Sequence, residues 1–217
     1  MMMKRLLATA LLTASALPAA AHPPLGGMPM ETLAHGLMSG VGHPVLGFDH
    51  LFFVALVGVA ALFTGRALLA PAFYILGMLA GTMLAMAGLG LPLAEMFIVA
   101  SLIGLGFVVS SGRALTLASA GLVFAGFGLF HGTAFAGAIL GQEGGANMAV
   151  IAGYLAGLGA VQYLISIAAG LALSRLWDAG AANAMAPRLA GALTAGAGLF
   201  LALEMVEGAA FAALGLG

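Results

Sequence analysis

Residues 147–173 read NMAVIAGYLAGLGAVQYLISIAAGLAL, a stretch that contains no Asp, Glu, Lys or Arg. It can cross a hydrocarbon core about 30 Å thick as a single helix, because about 20 apolar residues are enough. Similar runs lie at about residues 48–65, 69–89, 92–110, 114–140 and 189–214. Each run is predicted to be a helix, since lipid does not tolerate unpaired backbone groups. The sequence therefore predicts an all-α integral membrane protein whose fold is a six-span transmembrane helix bundle.

The composition of the chain supports this class. Hydrophobic residues make up 63% of its 217 residues and charged residues 6%, whereas about a quarter of a soluble domain is charged. This length accommodates six crossings with short loops and no additional soluble domain. The net charge of -1 gives no indication of a nucleic-acid partner. The absence of cysteine excludes disulfides, thiolate metal sites and a cysteine nucleophile.

The first 21 residues are typical of a secretory signal peptide. Lys4 and Arg5 form a positive start, residues 6–17 form an apolar core, and Pro18 precedes three alanines. We expect cleavage after Ala21, and the alternative is an uncleaved anchor. The predicted organisation is a signal peptide at 1–21, a periplasmic N-terminal segment at 22–45 and a six-helix transmembrane domain at 46–217.

Cleavage would make His22 the first residue of the mature chain. Its free amine and a ring nitrogen could then bind one metal ion, while Pro23 has no amide hydrogen to lose. The alternative is that His22 belongs to a mobile tail. Residues 30–40 are predicted to form a short helical segment at the interface, and Pro44 and Gly47 are predicted to prevent a regular helix before Phe48.

Basic residues indicate the orientation of the bundle. Beyond the signal peptide, the chain has four arginines, which lie between spans one and two, three and four, and five and six: Arg66, Arg113, Arg175 and Arg188. A periplasmic mature amino terminus makes all four cytoplasmic, as the positive-inside rule requires. We therefore expect a multi-pass protein of a bacterial inner membrane with both termini in the periplasm. Small residues four apart, at Gly77/Gly81 and Gly153/Gly157, predict close helix contacts.

On this topology the ionisable residues gather in the outer half of the bundle. They are three histidines and four carboxylates: His43, Asp49, His50, Glu95, His131, Glu204 and Glu207. Carboxylates at such depth without basic partners are protonated, hydrated or bound to metal. Imidazole with carboxylate suits nickel, cobalt, zinc or copper(II). The cluster therefore predicts a metal or proton pathway. For single residues, the alternatives are a hydrogen-bonded packing role and, for Glu95, a first-turn acid.

At these residues the chain resembles the HupE/UreJ family of nickel/cobalt permeases. Its first motif, His, five residues and Asp-His, matches His43, Asp49 and His50. Its second, Phe-His-Gly-x-Ala-His-Gly-x-Glu, matches at residues 130–134, but Phe135, Ala136 and Ala138 replace His, Gly and Glu. Leu91-Pro92 with Glu95 and Ser101, and His-Pro after the signal peptide, are further similarities.

The resemblance implies uptake of nickel or cobalt for metalloenzyme assembly, with His43, Asp49, His50, His131 and Glu95 as candidate ligands. His22 and Glu204 are further candidates from the residue pattern. The metal ion is expected as transported substrate, with no prosthetic group and no enzymatic activity. One alternative is an intramembrane metal-dependent hydrolase that uses the same cluster. Another is a copper-binding membrane sensor or delivery protein that uses His22 with Met28, Met30 and Met38.

Overall fold

The computed structural model describes residues 29–141, 146–177 and 179–215, and within them the regular secondary structure is entirely helical. The predicted all-α class is confirmed. The helices are α1 (Leu33–Leu46), α2 (Phe48–Ala61, extended by a 3-10 turn at Leu62–Thr64), α3 (Ala70–Met86), α4 (Ala94–Ser110), α5 (Leu117–Phe135), α6 (Gly137–Leu140), α7 (Met148–Leu176) and α8 (Met185–Ala213). The predicted signal peptide and His22 lie outside the described residues.

Each of the six apolar runs contains a helix, so their predicted positions are confirmed. Three described helices are long and apolar enough to cross a membrane, at Leu117–Leu140, Met148–Leu176 and Met185–Ala213, and the bent pair α1–α2 makes a fourth if it is one span. Helices α3 and α4 have 17 residues each, about 25 Å at 1.5 Å per residue. Because that is less than the usual hydrocarbon thickness, six crossings remain a prediction.

The break before α2 lies at Gly47, one of the two residues predicted to interrupt the helix. Helix α1 continues through Pro44 to Leu46, so the prediction that Pro44 prevents a regular helix is wrong. A proline inside a helix removes one amide donor and crowds the carbonyl four residues earlier, yet α1 continues here while packed closely along α7 at Gly36 and Gly40. Gly47 has extended backbone angles and separates α1 from α2. The two helices meet at an angle of 83°.

Helices α1 and α2 pack one after the other along α7. A Cβ on Gly36 would meet the backbone carbonyl of Val150, and a Cβ on Gly58, further along the chain, would meet that of Ser166. Residue numbers therefore increase in the same direction on both sides of the contact. The broken pair α1–α2 therefore follows α7 in the same chain direction, and both of its helices pack against α7.

The remaining helices form two further tight pairs. Helix α3 runs parallel to α5, where Gly77 lies against Ala125 and Gly81 against Leu129. Helix α4 runs antiparallel to α8, where Gly106 lies against Gly191 and Ala195. A Cβ on Gly81 would collide with the Leu129 carbonyl. The close contacts predicted for the Gly77/Gly81 and Gly153/Gly157 pairs are confirmed, because small residues allow backbones to approach closely.

We predict that Gly77→Ala lowers the free energy of unfolding of the solubilised protein by about 1–3 kcal/mol, the usual effect of overpacking, and therefore lowers its melting temperature. The new methyl group would meet the Ala125 backbone, which cannot move aside without separating α3 from α5. Gly126→Ala is the matched control, since a Cβ there has nothing within 4 Å. A thermal melt monitored by size-exclusion recovery measures both variants. Equal melting temperatures for the two would contradict the packing described for α3 and α5.

Candidate metal site

Two buried imidazoles meet where α2 begins. The Nδ1 atoms of His50 on α2 and His131 on α5 lie 2.9 Å apart, within hydrogen-bond distance. His131 Nε2 lies 2.9 Å from the Ser101 hydroxyl on α4. His131 is completely buried and His50 is 8% exposed. Three helices thus contribute one continuous chain of polar contacts to the buried core.

Aromatic rings hold His131 in place. Phe53, one helical turn after His50, stacks on the His131 ring with centroids 4.5 Å apart. Tyr74 on α3 meets the same ring edge-on at 5.9 Å. Because each ring contact adds about 0.5–1.5 kcal/mol to simple burial, the orientation of His131 is fixed by its surroundings.

Asp49 lies beside this pair in the first turn of α2. Its Oδ2 atom is 3.8 Å from His50 Nε2, and its side chain is about one-third exposed. A carboxylate in a first turn is favoured by the helix dipole. A Cβ on Gly47 would come within 3.0 Å of the His50 ring and 3.3 Å of the Asp49 carboxylate. The residue that ends α1 therefore also leaves room for both side chains.

His50 and Asp49 line a cleft of about 460 Å³, which we call the acidic cleft. Its other described lining residues are Glu95, Ile98, Val99, Ala134, Leu201, Glu204 and Met205. Glu95 lies in the first turn of α4 and Glu204 lies in α8, and both are exposed. The antiparallel pairing of α4 and α8 brings these two carboxylates to the same cleft as Asp49. The acidic cleft joins four of the residues that the sequence singled out.

The other predicted ligands are placed differently. His131 lies behind His50 and is not among the residues that line the acidic cleft. His43 is half-buried at the end of α1, with Nδ1 3.4 Å from the Tyr154 hydroxyl. Glu207 is exposed on α8 outside the cleft lining. Among the described residues, no three His, Cys, Asp or Glu side chains are close enough to hold an ion together.

Phe135 separates His43 from His50. Its ring is fully buried, with centroids 5.4 Å from His43 and 4.4 Å from His50. This is the position at which the second motif of the resembled family has histidine. In this chain, Phe135 puts an apolar ring at the point where a third imidazole would join those of His43 and His50.

Two tyrosines that the sequence interpretation did not use support the site. Tyr154 donates a 2.6 Å hydrogen bond to the Phe135 carbonyl, and Tyr74 donates a 2.7 Å hydrogen bond to Gln162 Oε1. Both tyrosines are completely buried. The sequence could have indicated both residues, since the chain has only three tyrosines and a tyrosine inside an apolar helix needs a partner for its hydroxyl.

Comparison with known proteins identifies the family. The family model described as HupE / UreJ protein matches residues 9–201. The chain belongs to the HupE/UreJ family. It is 33% identical over 196 residues to the protein named Protein HupE from Rhizobium leguminosarum bv. viciae, a match that covers 89% of this chain and 95% of the relative. No solved structure matches the chain. Membership confirms the resemblance drawn from the motifs and agrees with a multi-pass membrane protein of a transporter family.

We predict that Phe135→His strengthens nickel binding to the purified protein by about tenfold, equivalent to about 1.4 kcal/mol. The new imidazole would lie beside both His43 and His50, where the phenyl ring now contacts them. Isothermal titration in detergent measures the dissociation constant. Phe135→Leu is the control that removes the ring without adding a ligand. Equal affinity for the histidine and leucine variants would show that this position does not adjoin the bound ion.

Proposed function

We propose that this protein is an inner-membrane permease that takes up a divalent transition metal ion, nickel or cobalt, through the acidic cleft. The observation that carries the proposal is the convergence of His50, Asp49, Glu95 and Glu204 on one cleft from three helices. Family membership supports the same function, since HupE/UreJ proteins are commonly associated with nickel and cobalt transport. The metal ion is the substrate, and the reaction is translocation without covalent chemistry.

The ligand chemistry favours a borderline divalent ion. An imidazole beside carboxylates is the donor set that suits nickel, cobalt or zinc. His50 Nε2 and Asp49 Oδ2 lie 3.8 Å apart, and the described residues contain no group of three or more His, Asp or Glu that could hold an ion. We therefore propose that the captured ion keeps part of its water shell, with Glu95 and Glu204 attracting it into the cleft. Weak, partly hydrated binding suits a permease, because a transported ion must also leave.

The path beyond the histidines is closed in this conformation. Gln162 accepts the Tyr74 hydrogen bond, and the Ser166 hydroxyl donates to the Val54 carbonyl at 3.0 Å. The Thr82 hydroxyl lies 3.0 Å from the Gly132 carbonyl, to which it can donate. All three polar side chains are completely buried. We propose that passage requires Tyr74 and Gln162 to separate, so that their oxygens can contact the ion.

Helix directions support the orientation expected from the arginines. Arg188 Nε donates to the Ser110 carbonyl at 3.0 Å, which joins the start of α8 to the end of α4. Because α3 runs parallel to α5 and α4 runs antiparallel to α8, the loops that contain arginine lie at the end of the bundle opposite Glu95. With that end cytoplasmic, an entering divalent ion gains about 4.6 kcal/mol per 100 mV of inside-negative potential, twice the single-charge value. This energy can drive uptake without a nucleotide.

We predict that Asp49→Asn and Glu204→Gln each reduce nickel uptake into proteoliposomes at least about tenfold, because each removes a charge that attracts or holds the ion. Glu207→Gln is the matched control, since Glu207 lies on the same helix outside the cleft lining. The measurement uses an imposed inside-negative potential and a panel of nickel, cobalt, zinc, copper and manganese.

Two results would contradict the proposal. The first is undiminished uptake of every ion by Asp49→Asn and Glu204→Gln. The second is a wild-type protein that binds an ion but transports none of the panel, which would instead favour a sensor or delivery protein.

A further inference from the structure

We infer that His131 is a positioning residue rather than a metal ligand: with Ser101, it fixes the ring hydrogen of His50 on Nδ1, so that His50 Nε2 faces the acidic cleft as a free donor. The inference rests on the proposed function, because it concerns the same cleft. It assigns different roles to His50 and His131, which the two family motifs present as equivalent candidate ligands.

The hydrogen positions follow from three distances, beginning at Ser101. Its hydroxyl oxygen lies 2.6 Å from the Ile98 carbonyl oxygen. Two oxygens this close need a hydrogen between them, and the carbonyl has none. The Ser101 hydroxyl therefore donates to Ile98, and its oxygen has only lone pairs left for other partners.

His131 must then supply the next hydrogen. Its Nε2 atom lies 2.9 Å from the Ser101 oxygen, a hydrogen-bond contact in which the hydroxyl hydrogen is no longer available. Nε2 therefore carries a hydrogen and donates to Ser101. His131 is completely buried against Phe53, where a charged imidazolium would be costly. A neutral ring has one hydrogen, so His131 Nδ1 is an acceptor.

The same reasoning fixes the ring of His50. Its Nδ1 atom lies 2.9 Å from the acceptor Nδ1 of His131, so His50 Nδ1 carries the hydrogen and donates it. His50 Nε2 is then unprotonated in the neutral ring. It lies 3.8 Å from Asp49 Oδ2. Ligand distances of about 2.0–2.2 Å from nitrogen and oxygen to such an ion allow one ion between these two atoms.

The access of the two histidines to the acidic cleft agrees with these roles. His50 lines the acidic cleft, whereas His131 is not among its lining residues. The gap between the Nδ1 atoms of His50 and His131 contains the hydrogen that His50 donates, so it is not open to an ion. Metal-bound histidines commonly donate their other ring hydrogen to a neighbouring acceptor, which sets the tautomer and the ring orientation. Here the acceptor is a second imidazole, and that imidazole is itself set by Ser101.

The test uses copper(II) as the probe and pulsed electron paramagnetic resonance on the full-length solubilised protein, which counts bound imidazoles. His131→Asn is the informative variant, because its side-chain oxygen can accept the His50 hydrogen in place of Nδ1. We expect an unchanged imidazole count in His131→Asn and one imidazole fewer in His50→Asn. Loss of one imidazole in both variants would overturn the positioning role while leaving the metal site standing. An unchanged count in His50→Asn would refute the proposed site itself.

A double-variant comparison tests the route through Ser101. In the wild-type background, Ser101→Ala frees the His131 tautomer and should weaken copper binding about tenfold, at the lower end of the effect of such supporting groups. In the His131→Asn background the same change should have no effect, because the asparagine oxygen is always an acceptor. Nitrogen-15 NMR of the metal-free protein should show His50 Nε2 unprotonated. A protonated Nε2, or equal effects of Ser101→Ala in both backgrounds, would contradict the inference.

Discussion

A helix that starts inside an apolar bundle must find partners there for its first side chains and amides. In α2 the His50 side chain finds its partner in His131, because Gly47 ends α1 and lets α2 begin at the level of His131. Ser101, which touches His131, is seven residues into α4, about 10 Å below the first residue of that helix at 1.5 Å per residue. The break therefore places His50 in the buried core and Asp49 beside it in the acidic cleft, and the rest of the site is built around them.

The three tight helix pairs make this interior break tolerable. Helix α7 supports both parts of the broken pair, so neither α1 nor α2 depends on the other for packing. On one side of His50, α3 and α5 contribute Tyr74 and His131. On the other side, the pairing of α4 with α8 places Glu95 and Glu204 in the lining of the acidic cleft. Close glycine contacts between backbones fix these pairs, so the carboxylates and imidazoles meet without having to hold the bundle together.

The sequence predicted much of the fold because helix position in lipid follows directly from apolar runs. It also singled out His50, Asp49, Glu95 and Glu204, since ionisable residues in such runs need an explanation. It did not predict that α1 continues through Pro44, because the packing of α1 along α7 at Gly36 and Gly40 is a tertiary contact that the local sequence does not show. Nor could it separate the roles of His50 and His131, because these depend on interatomic distances between α2, α4 and α5. The replacement of histidine by Phe135 was visible in the sequence, but its contact with both His43 and His50 was not.

The proposed binding of a divalent ion by His50 and Asp49 in the acidic cleft can be observed in a crystal. The most direct measurement is anomalous X-ray scattering at the cobalt edge from crystals of the protein grown with cobalt. We expect an anomalous peak between His50 Nε2 and the Asp49 carboxylate, about 2.0–2.2 Å from each donor atom. A peak between the Nδ1 atoms of His50 and His131, or a peak only outside the cleft, would contradict it.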